Sequence, residues 1–259
     1  MPDSIIINPG ILEDTYLPRL VPYREEQQKY LAECVNPLLS GIYGKNVLMH
    51  GSSGIGKTAC IRFLFRQLQE ESDNVRTIYI NCWKQDTSNK IITSLAKESG
   101  ITFIERKNMD ELFTLYIRGL KKPVVVALDE IDKAKDMDFL YRFMEDIKFK
   151  TIFMITNISG WISSLDARIY SRLHAERVEF KPYNLDETRG ILKERIRYSF
   201  VPGSWNKNAF EKVVMKTFNR HDIRFGLHLL KSSGQNADEK NSKQVLDEHV
   251  DSVLEKSCF

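Results

Sequence analysis

The stretch Asn46-Val-Leu-Met-His-Gly-Ser-Ser-Gly-Ile-Gly-Lys-Thr58 leaves a chain that contains it little choice of architecture. A short apolar strand, Val47 to Met49, runs into a glycine-rich loop, and the loop opens a helix that begins Ala59-Cys-Ile-Arg-Phe-Leu-Phe65. Gly51-x-x-x-x-Gly56-Lys57-Thr58 has P-loop spacing, in the strand–loop–helix setting that the pattern requires. Glycine admits positive φ and close backbone approach, so the N–H groups of Ser52, Ser53, Gly54, Ile55, Gly56, Lys57, Thr58 and Ala59 can turn toward phosphate oxygens. The positive end of the helix adds to that field. Lys57 brings a compact charge to β- and γ-phosphates, and the Thr58 hydroxyl suits Mg2+. A flexible loop before an ordinary helix would need neither the spacing nor both flanking elements. The stretch therefore predicts a nucleoside triphosphate site.

Composition narrows the rest by exclusion. The 259 residues are enough for one large α/β domain and a small second one. With 42% hydrophobic and 28% charged residues, the chain has the balance of a soluble globular protein. No apolar run is long enough to span a membrane, and Met-Pro-Asp-Ser at the start lacks the form of a signal peptide. Cys34, Cys60, Cys82 and Cys258 show no C-x-x-C pairing, which argues against zinc and for reduced thiols in a cytoplasmic setting. The net charge of +3 permits a local basic face without requiring one.

Along the chain, residues 1–23 read as an extended arm. A helical stripe follows through Tyr30, Leu31, Cys34, Val35, Leu38 and Leu39. After the glycine-rich loop, Thr77–Ile80 predicts a second strand, and residues 88–98 and 109–120 two amphipathic helices. Pro123-Val-Val-Val-Ala-Leu128 is the near-continuous apolar run of a parallel strand buried on both faces. Thr151–Ile155 and Arg177–Phe180 complete five strands, with helices expected near 139–147 and 164–173. Strands alternating with helices give a doubly wound five-stranded parallel sheet, its ligand at the strands' carboxyl ends. Beyond Tyr183 only helices are expected, over roughly 186–200, 206–219, 222–232 and 242–256, with Ser232–Asn241 as a loop before the last. The expected division is an arm at 1–23, an α/β core at 24–181 and a small helical lid at 182–259.

The third strand ends in Asp129-Glu130-Ile-Asp132. An acidic pair there suits a Walker B element, with Asp129 holding the Mg2+ shell and Glu130 activating water for attack on the γ-phosphate. The alternative, that these carboxylates cap the next helix, is the reading preferred for Asp132. Asn157, at the end of the fourth strand, can position the same water, though an asparagine after a strand is commonly a turn residue. Arg172, before the fifth strand, and Arg224, among the later helices, suit a developing γ-phosphate charge. Against them stands the ordinary solvated arginine in a chain with 38 Lys and Arg. Trp161 and Trp205 read as packing residues.

In that order, the P-loop, the Asp129-Glu130 pair, Asn157, Arg172 and Arg224 resemble an AAA+ ATPase. Tyr16-Leu-Pro-Arg-Leu-Val-Pro-Tyr-Arg24-Glu-Glu-Gln27 resembles the entry motif of the origin-recognition-complex and cell-division-control initiator ATPases. So do Asn81-Cys82, Leu128-Asp-Glu-Ile-Asp132 and the block Leu165–Tyr183 with its Phe180-Lys-Pro-Tyr183 ending; together the resemblance covers roughly residues 11–256. It implies an AAA+ core with a helical lid, binding ATP or ADP with Mg2+ and hydrolysing ATP slowly. Leu17, Pro18, Arg19, Leu20, Val21 and Arg24 would line the adenine pocket. Asn157 would be sensor 1, Arg224 sensor 2 acting in cis, and Arg172 an arginine finger acting on a neighbouring subunit, with Arg168 as its alternative. Duplex DNA and related AAA+ subunits or self-association are the implied partners, and a chromosome-associated place in the cytoplasm the implied location.

The departures matter too. Family members usually continue into a winged-helix domain, and this sequence stops at Phe259, where that domain would begin; either it is a piece of a longer protein, or it is a short relative whose DNA contact is weaker, indirect or replaced. The lid motif usually opens Gly-Asp, whereas here it is His221-Asp222. Within the segment 84–120, where initiators carry an insertion that can touch DNA, Lys84, Lys90, Lys97, Arg106 and Lys107 are scattered and read as a solvated face. Two other classes stay in view: an AAA+ ATPase that acts on a protein partner, in signalling or remodelling, and a small-molecule kinase. The kinase is disfavoured by Asn157 and by an all-helical lid with its arginine.

Overall fold

Val124–Asp129 is buried along its whole length, as its run of branched apolar residues demands, and the sheet is built outward from it. The computed structural model describes residues 4–102, 104 and 107–256, so Arg106 and Cys258 lie outside the described residues. The strands are β1 (Val47–His50), β2 (Arg76–Asn81), β3 (Val124–Asp129), β4 (Lys150–Thr156) and β5 (Glu176–Glu179). They form one parallel sheet in the order β2-β3-β4-β1-β5. Asn81 pairs with Asp129, Asp129 with Ile155, and His50 with Thr156. That register brings the carboxyl ends of β1, β3 and β4 level, with β4 between the other two.

The helices joining them are α1 (Glu25–Leu39), α2 (Lys57–Glu71), α3 (Ser88–Glu98), α4 (Met109–Gly119), α5 (Asp138–Asp146) and α6 (Ala167–Leu173). Local chemistry sets their starts. Asn108 accepts the Glu111 N–H at 2.9 Å while Glu111 reaches back to the Asn108 N–H at 3.2 Å, a capping box that opens α4. The segment expected as one helix over 164–173 is a short 3-10 turn, Trp161–Ser164, followed by α6; Asp166 accepts the Arg168 N–H at 2.8 Å and restarts the helix there. One core cluster, including Ile91, Leu112, Phe113, Val126, Phe139 and Trp161, lies on one face of the sheet.

The chain divides into two compact units, one of residues 24–51 and 56–180 and the other of residues 1–23, 52–55 and 181–259. The second unit holds α7 (Leu185–Ser199), α8 (Lys207–Arg220), α9 (Ile223–Glu239) and α10 (Asp247–Lys256). Its core joins Leu192, Phe200, Val213, Leu230 and Val250 with Ile5 and Leu12 of the arm. Ile6 bridges Phe200, and Lys231 pairs with Glu13 at 2.6 Å, so the arm is stitched to these helices along much of its length.

The loop expected at Ser232–Asn241 is corrected: residues 232–239 continue α9. Local propensity is overridden by packing. Ser233, Gly234 and Ala237 are buried, and a Cβ on Gly234 would lie 2.6 Å from Phe200 Cε1, so the small residues are there to let a neighbour approach. The loop instead falls at 240–246, where Val245 bridges Trp205. Trp205 packs edge-on against Phe200 at 5.4 Å, and Trp161 is buried in the sheet core. Among the described residues no helix is long and apolar enough to cross a membrane.

Candidate nucleotide site

Within the α/β unit the end of β1 and the start of α2 are joined through backbone of unusual conformation. Gly51 has φ +140° and Gly56 φ +95°, values that side-chain-bearing residues rarely adopt. Lys57 opens α2 and is only 6% exposed. Its ammonium donates to the Gly51 carbonyl at 2.6 Å and to Asn157 Oδ1 at 2.9 Å. Asn157 follows directly on β4, which lies between β1 and β3, and this placement lets one amide reach the lysine. The asparagine is thus more than a turn residue: it touches the cation that the glycine-rich stretch presents.

Thr58 and Asp129 form the next link. Thr58 Oγ1 donates to Asp129 Oδ2 at 2.8 Å, and Asp129, 5% exposed, is the last residue of β3. A second hydroxyl meets the same oxygen: Tyr79 Oη of β2 donates to Asp129 Oδ2 at 2.5 Å. The Glu130 N–H donates to Asp129 Oδ1 at 3.0 Å. Burial, aided by the neighbouring carboxylate, pushes the Tyr79 phenol up to about 12, so it is a proton donor throughout the neutral range. Glu130 stands at φ +54°, a left-handed conformation that costs a side-chain-bearing residue about 1–2 kcal/mol and gathers at functional sites.

Asp132 does not cap the following helix, contrary to expectation. The residue preceding α5 is Met137, and the Asp132 side chain, 3% exposed, accepts Thr156 Oγ1 at 2.7 Å and pairs with Lys133 at 3.1 Å. The Thr156 oxygen also accepts the Ile158 N–H at 3.0 Å. Asp132 therefore braces the turn that carries Asn157. Residue spacing did not reveal Thr156 or Tyr79, because both meet their carboxylates only once parallel strands are paired.

The donor set can be tested against Mg2+. Thr58 and Asp129 offer hard oxygen ligands, and among the described residues no group of three or more His, Cys, Asp or Glu side chains could hold a metal. Mg2+ is commonly held by one or two carboxylates together with substrate phosphates, and this arrangement fits that habit.

Arg24, 5% exposed, stacks over the Phe180 ring at 5.5 Å within the same unit. Arg172 of α6 is exposed, forms an ion pair with Glu145 and lies over the Tyr141 ring at 5.1 Å. Arg168, one turn earlier, pairs with Asp166 at 3.0 Å and lines a groove of about 760 Å3 together with Tyr141 and Trp161. Of the scattered lysines, Lys90 is bound to Asp86 at 2.6 Å, and Lys84 and Lys97 are exposed. Trp83 is 63% exposed with the Lys133 ammonium 5.4 Å above its ring.

In the other unit, the loop tip 52–55 lies against the start of α9. The Ile223 N–H donates to the Gly54 carbonyl at 3.2 Å, and the Arg224 guanidinium donates to the Ser53 hydroxyl. Gly54 has φ +72°, and a Cβ there would collide with the Asp222 carboxylate, so glycine is required on both counts. Asp222 caps α9 through the Arg224 N–H at 2.9 Å. His221 stands where glycine is usual and takes the glycine conformation, φ +55°, with its ring edge-on to Phe218 at 5.6 Å. Of the arm residues, Val21 is buried, Leu17 and Pro18 are half-buried, and Arg19 and Leu20 are exposed, Leu20 by 67%.

Comparison with known proteins adds a family to this geometry. Residues 43–159 match the family model described as an AAA domain, and residues 189–255 match the Cdc6 AAA+ ATPase-type lid domain. The ORC1-type DNA replication protein 1 of Archaeoglobus fulgidus is 33% identical over 98% of this chain and 66% of its own length. The protein of that name from Sulfurisphaera tokodaii is 33% identical over 95% of this chain and 65% of its own length. The chain thus spans a little under two thirds of the length of these two relatives. Among solved structures, the Aeropyrum pernix ORC1 protein in complex with DNA is 27% identical with a TM-score of 0.88, over 98% of this chain and 70% of that one. Cdc6p from Pyrobaculum aerophilum has a TM-score of 0.89 at 21% identity, over 99% of this chain and 73% of that one.

Proposed function

We propose, for a chain that belongs to the AAA+ ATPases of the origin-recognition-complex and Cdc6 replication-initiator family, an ATP-driven switch acting at duplex DNA in replication initiation. The observation that carries the reading is the network that ties Lys57 to Asn157 and Thr58 to Asp129 across α2, β3 and β4. The reading that the chain acts on a protein partner loses ground to relatives named as DNA replication proteins, and the kinase reading falls with the family.

Each residue has a task in this scheme. With Mg2+, ATP supplies the γ-phosphoryl group whose transfer to water is the reaction. The N–H groups of Ser52 to Ala59 and the Lys57 ammonium bind phosphate oxygens, while Thr58 and Asp129 hold the metal shell. Glu130 takes the proton from the attacking water, and Asn157, fixed against Lys57, positions that water. Arg224, already at the loop tip beside Ser53, reads the γ-phosphate in cis. Arg172 serves a neighbouring subunit after leaving Glu145, and residues Leu17 to Val21 with Arg24 receive the adenine. Turnover by the chain alone is slow, and its place is chromosome-associated in the cytoplasm.

The test has two parts. Labelled ATP should bind in Mg2+, and a labelled duplex should bind in a nucleotide-dependent, salt-sensitive way when ATP, ADP and no nucleotide are compared at two salt concentrations. Failure to bind ATP would overturn the site; failure to bind DNA in every state would overturn the DNA role while leaving the ATPase core.

A further inference from the structure

We propose that Tyr79 is a positioning residue of the triphosphate site, its phenol fixing the Asp129 carboxylate in the orientation from which it serves Mg2+. The inference rests on the nucleotide reading above and adds to it a residue outside the glycine-rich loop and the acidic pair. Two hydroxyls converge on Asp129 Oδ2, Thr58 Oγ1 at 2.8 Å and Tyr79 Oη at 2.5 Å, while Oδ1 accepts the Glu130 N–H at 3.0 Å. A carboxylate oxygen has two in-plane lone pairs, so the two hydroxyls saturate Oδ2 and leave acceptor capacity on Oδ1. Their roles differ. Thr58 gives its proton to Asp129 and keeps its own oxygen lone pairs for a hard cation. The Tyr79 proton has no such second use, so its bond orients the carboxylate.

The surroundings support a dedicated placement. Tyr79 pairs in register with Ala127, whose small side chain precedes Asp129 by two residues on the same face of β3. The ring is held from above by Arg62, its guanidinium carbon 4.6 Å from the ring centroid. Arg62 lies four residues after Thr58 on α2, so one helix face supplies both a donor to Asp129 and the clamp on the second donor. Outer-shell partners of this sort fix ligand orientation, and their loss weakens metal affinity about 10- to 100-fold.

Phenylalanine at 79 would keep the ring and its packing under Arg62 and remove the hydroxyl, with its hydrogen bond to Asp129 and its polar contact to Arg62. The experiment is a Mg2+ titration of labelled-ATP binding to the full chain for wild type, Tyr79→Phe, Arg62→Ala and the double variant. Binding in EDTA and thermal unfolding without nucleotide are measured in parallel. Tyr79→Phe should need about tenfold more Mg2+ for half-maximal binding, with binding in EDTA unchanged. Arg62→Ala, which leaves the hydroxyl in place and loosens the ring, should shift the midpoint the same way by less. The double variant should go no further than Tyr79→Phe, because both act through one bond. An unchanged Mg2+ midpoint in Tyr79→Phe, or an equal loss with and without Mg2+, would overturn the proposal. A wild-type chain that binds no ATP in Mg2+ would instead remove the nucleotide site on which it rests, an outcome seen before any variant is compared.

Discussion

Asp132 and Thr156 come from different strand ends and meet through one hydrogen bond at 2.7 Å. Since the carboxylate is nearly buried, removing the threonine leaves Oδ1 desolvated with only the Lys133 pair on Oδ2, which costs about 1–3 kcal/mol. Thr156→Val should therefore lower the unfolding free energy by about that amount, and it should also slow phosphate release while leaving ATP affinity near wild type. Equal loss of binding and turnover would show that the threonine does not act through Asn157. At Glu130 the expectation is sharper: Glu130→Gln should retain ATP binding and lose phosphate release by about 100-fold or more. Undiminished release would remove Glu130 as the base. As candidates, Lys57, Thr58, Asp129 and Glu130 are legible in the sequence because a fixed spacing or an apolar strand end marks each of them. Tyr79 and the true partner of Asp132 are not, because their contacts span 50 and 24 residues and exist only after strand pairing.

The elements show where periodicity suffices. β3 and β4 announce themselves by apolar runs that only a doubly covered strand can bury, and α4 by its amphipathic stripe; the asparagine caps with glutamate three residues on that open α4 and α7 are a finding of the structure. α9 defeats the same approach. Its second half, Ser232 to Glu239, is rich in residues that favour loops, yet the small ones are used for close packing against Phe200 and Ile6. A substitution there tests that account. Gly234→Val should improve local helix propensity and still destabilise the lid helices by about 1–3 kcal/mol, seen as a lower unfolding temperature; a gain in stability would mean that the packing is loose. His221 is the converse case, a residue whose sequence looked like a departure while its backbone follows the glycine pattern.

For the whole molecule, acid sensitivity should follow in part from His249. Its side chain is 1% exposed and its Nδ1 accepts the Leu246 N–H at 2.9 Å, which requires that nitrogen to be unprotonated. Burial holds the imidazole below its ordinary value near 6.5, with Lys240 acting in the same sense and Glu248 opposing. The unfolded chain then takes up the proton first, so this contribution is complete above about pH 6.5 and is lost as pH falls toward the folded value. Thermal unfolding between pH 7.5 and 5.5 should show the decline, and His249→Asn should flatten it; an equal slope in the variant would place the sensitivity elsewhere. Contact between copies is tested through Arg172. Arg172→Ala should reduce turnover only at concentrations where subunits meet, and a loss independent of concentration would assign it a role within its own chain. The outer edge of the sheet bears on how such contact arises. β5 pairs with β1 and carries Glu176, Arg177 and Glu179 as exposed residues. Charges along an edge strand discourage a second backbone from zipping onto it. The sheet is thus guarded against runaway fibre-like growth, so copies held at high local density can still come apart.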